Sequence, residues 1–372
     1  MLAGRRVNLE RSIGVVILVT AVLISSGCHR MRQHLGPQTI AADRMPYNNA
    51  VAESWKQQTL LNIVKLRYVE TPFFIDVPQI VSGYGLDRTV STTLGLQAAP
   101  NLNIPDDERF LGLFNLNAAY SDRPTISYSP QTSSQFVVNL ATPLPPIAVL
   151  SLIESGYATD TALRLSLQSL NGFRNKTASD GVFRPADPEF LWAIDVLERA
   201  RDSGEFGIQI VRDNRSSESA NIQIGDNVSD PQLAADLLQL KEMLGLESNA
   251  QAIEVEYGDT PTRPNQIAMK TRPIYLVLRD LSPFVEVPAE HIAEGRAMPF
   301  DTSGEENPPI LVQCGCERPA DCFTAVCYRD YWFWIDQGHL ESKRTFNYLL
   351  VMLALADTGP KQAQPTVTIQ AN

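Results

Sequence analysis

Two hydrophobic periods are mixed along this chain, one of helices and one of strands, which predicts elements of both kinds around a shared core. Asn48 and Asn49 can cap a first helix. Its apolar side, Val51, Trp55, Leu60, Ile63, Val64 and Leu66, falls at helical spacing and ends before Thr71-Pro72. The run Phe73–Val77 then reads as a strand, and the Thr-, Ser- and Tyr-rich stretch Ile80–Leu96 as more strand broken by glycines. Strands follow at Phe110–Tyr120 and Pro124–Ser129, and helices at Phe136–Leu140 and Pro146–Ser155. Alternation of Leu163, Leu165 and Leu167 with Ser166 and Gln168 predicts a half-buried strand over Thr161–Leu170, closed by Asn171-Gly172.

Polar loop residues at 174–186 mark the expected boundary between two regions. Beyond it, helices at Pro188–Ala200, Pro231–Leu244 and Pro273–Leu281 each open on the proline favoured in a first turn. Strands fall between them, at Phe206–Val211, Ala220–Ile224, Ala252–Tyr257 and Gln266–Lys270. The helix starts lie 42 to 43 residues apart but no residue motif repeats with them, so the spacing is read as coincidence within one α+β region. Ile310–Gln313 and Cys327–Ile335 are expected to pair as a hairpin, Leu340–Ala356 to form a largely buried helix, and Thr366–Ile369 a last strand. The expected fold is α+β, with mostly antiparallel strands in one large or two closely packed domains. The expected division is an N-terminal region over 46–175 and a C-terminal region over 185–372.

The N-terminus has a different pattern. Arg5, Arg6 and Arg11 precede the twelve-residue apolar run Ile13–Ile24, and Ser25-Ser26-Gly27 leads into Cys28. A basic head, a short apolar core and small residues before a cleavage point make an export signal. The run is shorter than the ~20 residues of a comfortable membrane span. The stretch resembles the signal of bacterial lipoproteins, its most specific part being Ser26-Gly27-Cys28, although Ser25 stands where a large aliphatic is usual. The resemblance implies removal of residues 1–27, acylation of Cys28, and a polar tether over 28–45. His29, rather than Asp, follows the cysteine, which in the enteric sorting pattern implies the outer membrane, facing the periplasm. The mature region resembles no characterised family.

Composition narrows the function classes. With 44% hydrophobic and 20% charged residues the chain is globular rather than disordered. Removing the signal, with three Arg and one Glu, takes the formal charge from -11 to about -13. So acidic a surface argues against nucleic acid and against electrostatic docking on anionic lipid. The expected membrane partner is reached through the acyl chains, and more than one chain is needed for stable anchoring.

Four cysteines remain after Cys28, all in the loop 314–327. In an exported protein an even number points to disulfides before metal, and Cys314 with Cys327 and Cys316 with Cys322 would close nested loops. A four-thiolate zinc site and a redox-active thiol stay open as alternatives, but the spacing lacks paired C-x-x-C knuckles. Of four histidines, His29 and His34 fall in the tether. His291 lies in Glu290-His-Ile-Ala-Glu294, read as a solvated helix because the second histidine of a zincin is missing, and His339 is expected at a surface or cap.

No G-x-S-x-G elbow, dinucleotide fingerprint or phosphate loop occurs. No catalytic residue, metal ligand or cofactor site is therefore assigned. Tyr331–Ile335 is the densest aromatic run; alternation puts Tyr331, Phe333 and Ile335 on one face and Trp332 and Trp334 on the other. The simplest reading is a strand buried on both sides, and the sharper one is a Trp332/Trp334 platform for sugar rings or a partner. The expected function is a non-catalytic binding or assembly role at the envelope, with an unknown envelope protein as partner. The second reading is an envelope hydrolase acting on peptidoglycan or glycan through paired carboxylates that spacing does not single out.

Overall fold

The computed structural model describes residues 39–81, 84–95, 111–122, 125–130, 134–179, 181–212, 218–225, 228–305 and 307–356. The signal, Cys28, most of the tether and the strand expected at Thr366–Ile369 lie outside them. The fold is α+β with mostly antiparallel strands. It divides into two compact units, one of residues 1–72 with 134–372 and the other of 73–133. The segment 174–186, expected as the boundary, lies inside the first unit. It carries half of the short strand β6 (Phe173–Arg174) and the hairpin β7 (Thr177–Ser179) and β8 (Val182–Arg184).

The second unit holds two antiparallel strand pairs. Its strands β1 (Ile75–Val81) and β4 (Thr125–Pro130) pair antiparallel with an irregularity between Asp76 and Gln79. Between them in sequence, β2 (Tyr84–Gly95) and β3 (Leu111–Asp122) pair over twelve positions without a shift.

In the first unit, helix α1 spans Thr39–Arg67, starting nine residues before the expected cap. Residues 44–52 are largely exposed, whereas Leu60, Ile63 and Val64 are fully buried at the i, i+3, i+4 spacing of a core-facing stripe. Helices α2 (Ser134–Ala141) and α3 (Pro146–Glu154) follow. The expected strand over Thr161–Leu170 is corrected here. Thr159–Ser166 is helix α4 and only Leu167–Leu170 is a strand, β5. Thr159, Ala162, Leu163 and Ser166 are the buried positions that helical spacing brings together, and α4 packs against both α5 (Pro188–Asp202) and α9 (Leu340–Ala356). Tertiary packing overrides the alternation of leucines.

A six-stranded sheet in the order β6-β5-β12-β11-β10-β9 carries the main core. Strand β10 (Glu218–Ile224) pairs antiparallel with both β9 (Phe206–Arg212) and β11 (Ala252–Glu256), and β11 pairs in parallel with β12 (Gln266–Thr271). On β10 the alternate residues Ala220, Ile222 and Ile224 are buried, as expected of a strand with one face inward. Helices α3 and α5 cover the sheet, with α6 (Pro231–Met243) against α5. Asp230 caps α6 by accepting from the Gln232 amide at 2.9 Å.

Helix α7 (Ile274–Leu281), a 3-10 turn at Ser282–Phe284 and the short α8 (Ala289–Ala293) lead to a three-stranded sheet. Its order is β13 (Gln313–Gly315), β15 (Tyr331–Ile335), β14 (Thr324–Tyr328). What sequence marks as one strand, Cys327–Ile335, is two strands joined by a tight turn. Arg329 and Asp330 both take positive φ, 50° and 68°, as a two-residue hairpin turn requires.

Candidate functional site

Helix α1 ends at Arg67, and the three-stranded sheet and α8 close around that end. Arg67 is 4% exposed, yet its Nε and Nη1 atoms are buried with no hydrogen-bond acceptor. The guanidinium carbon stands 4.9 Å from the centre of the Phe300 ring, a cation–π contact. Burial pulls its pKa from 12.5 down to about 10, so the group stays charged at neutral pH. The Arg67 carbonyl accepts from the Met298 amide at 3.1 Å, which fixes the end of the helix against the loop that carries Phe300. Beside the guanidinium is a cavity of about 600 Å³, lined also by Phe284, Glu286, Phe300, Glu305 and Tyr331.

The two carboxylates at this cavity already have partners. Glu305 accepts from Lys176 Nζ at 2.8 Å, and Glu286 from the Cys314 amide at 3.4 Å. Arg67 is the buried charge at this cavity whose donors are left unmet. A charged group taken out of water without an acceptor costs several kcal/mol, and an oxyanion in the cavity would offset that cost through charge-assisted bonds.

A chain of aromatic and polar contacts holds the wall beside Arg67. The Tyr68 hydroxyl and His291 Nδ1 are hydrogen-bonded at 2.7 Å, and both rings meet edge to face. His291 in turn meets Tyr331, whose hydroxyl donates to Glu290 at 2.7 Å. The expected solvated helix around His291 is corrected: its ring is 3% exposed, because α8 packs under Tyr68. Burial pushes the Tyr68 phenol up to about 12. Glu70, just beyond the helix, accepts from the Tyr328 hydroxyl and from Arg329 Nη2 at 2.7 Å, and the Tyr328 bond holds its carboxyl below the usual range. None of His291, Tyr68 or Arg67 was singled out in the sequence as a site residue. The signal available was a basic residue closing an apolar helical stripe, which ordinarily marks only a favourable helix C-terminus.

A second charged cluster lies across the Lys176–Glu305 pair. Arg272, 3% exposed, stands 3.5 Å from Asp280 and donates to the Lys176 carbonyl, while Asp280 also accepts from the Ala178 amide at 3.0 Å. These groups border a cavity of about 420 Å³ with Asp160, Arg164 and His339. Arg272 and Asp280 satisfy one another, so this cluster reads as a buried structural pair. His339 sits at a cap, as expected; its Nδ1 accepts from the Ser342 amide at 3.1 Å. Glu198 has a carboxyl raised to about 7, first by burial and then by Asp160, but it lines neither cavity.

No disulfide joins the four loop cysteines in this structure. Cys314 pairs in register with Phe333 and Cys327 with Trp332, from opposite sides of β15. Strands flanking a common neighbour lie about 9.5 Å apart, beyond the ~7 Å between Cα atoms that a disulfide spans. The expected Cys314–Cys327 crosslink therefore does not fit this sheet; Cys316 and Cys322 lie in the connection between β13 and β14. Cys314 borders the Arg67 cavity, and burial pushes its thiol up to about 11. Among the described residues no group of three or more His, Cys, Asp and Glu side chains gathers as for a metal.

The aromatic strand divides its faces as alternation predicts, but only one face is shut. Phe333 and Ile335 are fully buried, whereas Trp332 and Trp334 are half-buried. Arg318 lies 5.3 Å over the Trp332 ring, and a Cβ on Gly315 would stand 3.2 Å from the Trp334 ring. The pair thus forms a shelf against which a side chain at 315 would be a tight fit. No protein-family model matches the chain, and neither a curated protein nor a solved structure matches it.

Proposed function

We propose that this chain is an exported bacterial lipoprotein, anchored at the envelope through acylated Cys28, with a non-catalytic binding role. Its folded body captures a small ligand bearing a carboxylate or phosphate in the Arg67 cavity. The observation that carries the binding reading is Arg67 itself, buried at a cavity wall with two donors that meet no acceptor. Glu286, opposite in sign and held only by a long bond from Cys314, favours a ligand that carries a donor as well as its oxyanion. The Trp332/Trp334 shelf and Cys28 are the further contact points this reading assigns.

The test is thermal unfolding of the full-length protein with inorganic phosphate and with succinate, for wild type and Arg67→Met. A ligand at about a hundred times its Kd adds roughly 2.7 kcal/mol to the folded state, so the wild-type midpoint should rise by several degrees with at least one anion. Arg67→Met should be at least as stable without ligand, because it removes an unpaired buried charge, and should show no rise. Absence of any wild-type shift, or an equal shift in Arg67→Met, would sink the reading. The hydrolase alternative makes a separate demand: turnover of peptidoglycan by the purified protein.

A further inference from the structure

Two cavities of the first unit share part of their walls. Pro308 and Leu311 line both the Arg67 cavity of about 600 Å³ and the cavity of about 420 Å³ beside Arg272. Lys176 lines the smaller one and Glu305 the larger, and the 2.8 Å pair between them stands at the division. Lys176 Nζ also lies 5.5 Å from the centre of the Phe284 ring, on the Arg67 side. Leu311 is 38% exposed, an apolar side chain left open along the shared wall.

The same kind of unmet group occurs in each cavity. Arg67 has Nε and Nη1 buried without an acceptor in the larger, and Arg164 has its Nε so in the smaller. Asp160, four residues earlier on α4, stands 3.5 Å from that Nε without forming a hydrogen bond. A third such atom, the Nε of Arg279, borders neither cavity. The carboxylates of the smaller cavity are engaged. Asp160 accepts from the Thr161 hydroxyl at 3.0 Å, Asp280 from the Ala178 amide at 3.0 Å and Glu341 from Arg344 at 2.9 Å. Among the described residues no buried carboxylate oxygen lacks a partner. What is missing at both ends is an acceptor, which an oxyanion supplies through charge-assisted bonds.

We infer that the two cavities are halves of one site, and that its ligand is an elongated molecule with an oxyanion at each end and an aliphatic middle. The inference deepens the Arg67 reading and rests on it. One oxyanion meets Arg67 Nε and Nη1, and the other meets Arg164 Nε. The middle runs along Pro308 and Leu311, past the Lys176–Glu305 pair, where Glu305 already supplies the acceptor that Lys176 needs. An apolar wall with a few placed polar groups is the usual make-up of a small-molecule site. Holding one end makes capture of the other intramolecular, which raises affinity over either end alone by up to roughly 10²–10⁴-fold. A molecule with a single oxyanion gains from one end only.

The test is calorimetric titration of the full-length protein with succinate, adipate, suberate and sebacate, and with monomethyl suberate as the single-ended control. Wild type should bind the best-fitting long diacid at least about tenfold more tightly than succinate, with one diacid per chain. Monomethyl suberate should lack that gain. Arg164→Met should bind succinate as wild type does and lose the gain with length, whereas Arg164→Lys should keep part of it. Arg164 is 34% exposed, so its replacement should leave the unliganded thermal midpoint near that of wild type; if that variant does not fold, the ligand series on wild type decides alone. The inference is overturned by affinity that does not rise with length, by an equal gain for monomethyl suberate, by a gain that survives in Arg164→Met, or by two diacids per chain, which would make the cavities separate sites. Succinate binding that is lost in Arg67→Met, without a gain from length, would leave the Arg67 reading standing and end this one. No binding of any diacid would end both.

Discussion

A guanidinium shut away from water beside Phe300, with Nε and Nη1 meeting no acceptor, is held at a cost that the rest of the fold must offset. Arg272 shows the contrast within the same unit: equally buried, it faces Asp280 at 3.5 Å and donates to a carbonyl. The wall beside Arg67 titrates as well. Burial raises the Tyr68 phenol to about 12, against an ordinary value of 10.0. The folded state therefore holds a proton that the unfolded chain releases between those values. Its contribution to stability is fully present below pH 10 and is lost as pH rises from 10 to about 12. Urea midpoints should fall across that window in wild type, and Tyr68→Phe should flatten the part of the fall that belongs to this phenol. A slope unchanged in Tyr68→Phe would place the alkaline loss elsewhere.

At the scale of elements, strand order decides what the cysteine loop does. Sequence places Cys314 and Cys327 at the ends of one loop and suggests that they meet. The sheet instead inserts β15 between their strands. Peptide mapping of the air-oxidised protein should find no Cys314–Cys327 link, and such a link would mean that β13 and β14 are neighbours after all. The reason this was hidden is local: the β14–β15 turn uses Arg329-Asp330 at positive φ, where Asn-Gly would have announced a hairpin. The same holds for α4, where alternating leucines imitate a strand while Thr159, Ala162, Leu163 and Ser166 carry the helical stripe. Elements with a single clear period were legible throughout, among them β10 with Ala220, Ile222 and Ile224 and the last helix, Leu340–Ala356. The candidate site was not. Arg67, His291 and Glu305 are far apart in sequence, and only the packing of α8 and of the segment after it under the end of α1 brings them together.

For the whole molecule, the labour proposed here falls to the folded body, which holds an anion. The Arg67 cavity needs only a folded body, but its role at the envelope needs Cys28 processed as the resemblance implies. The most direct measurement is the intact mass of the full-length gene product extracted in detergent from its native membranes. The account predicts a chain that begins at Cys28 and carries acyl groups. A chain that begins at Met1 without lipid would contradict it.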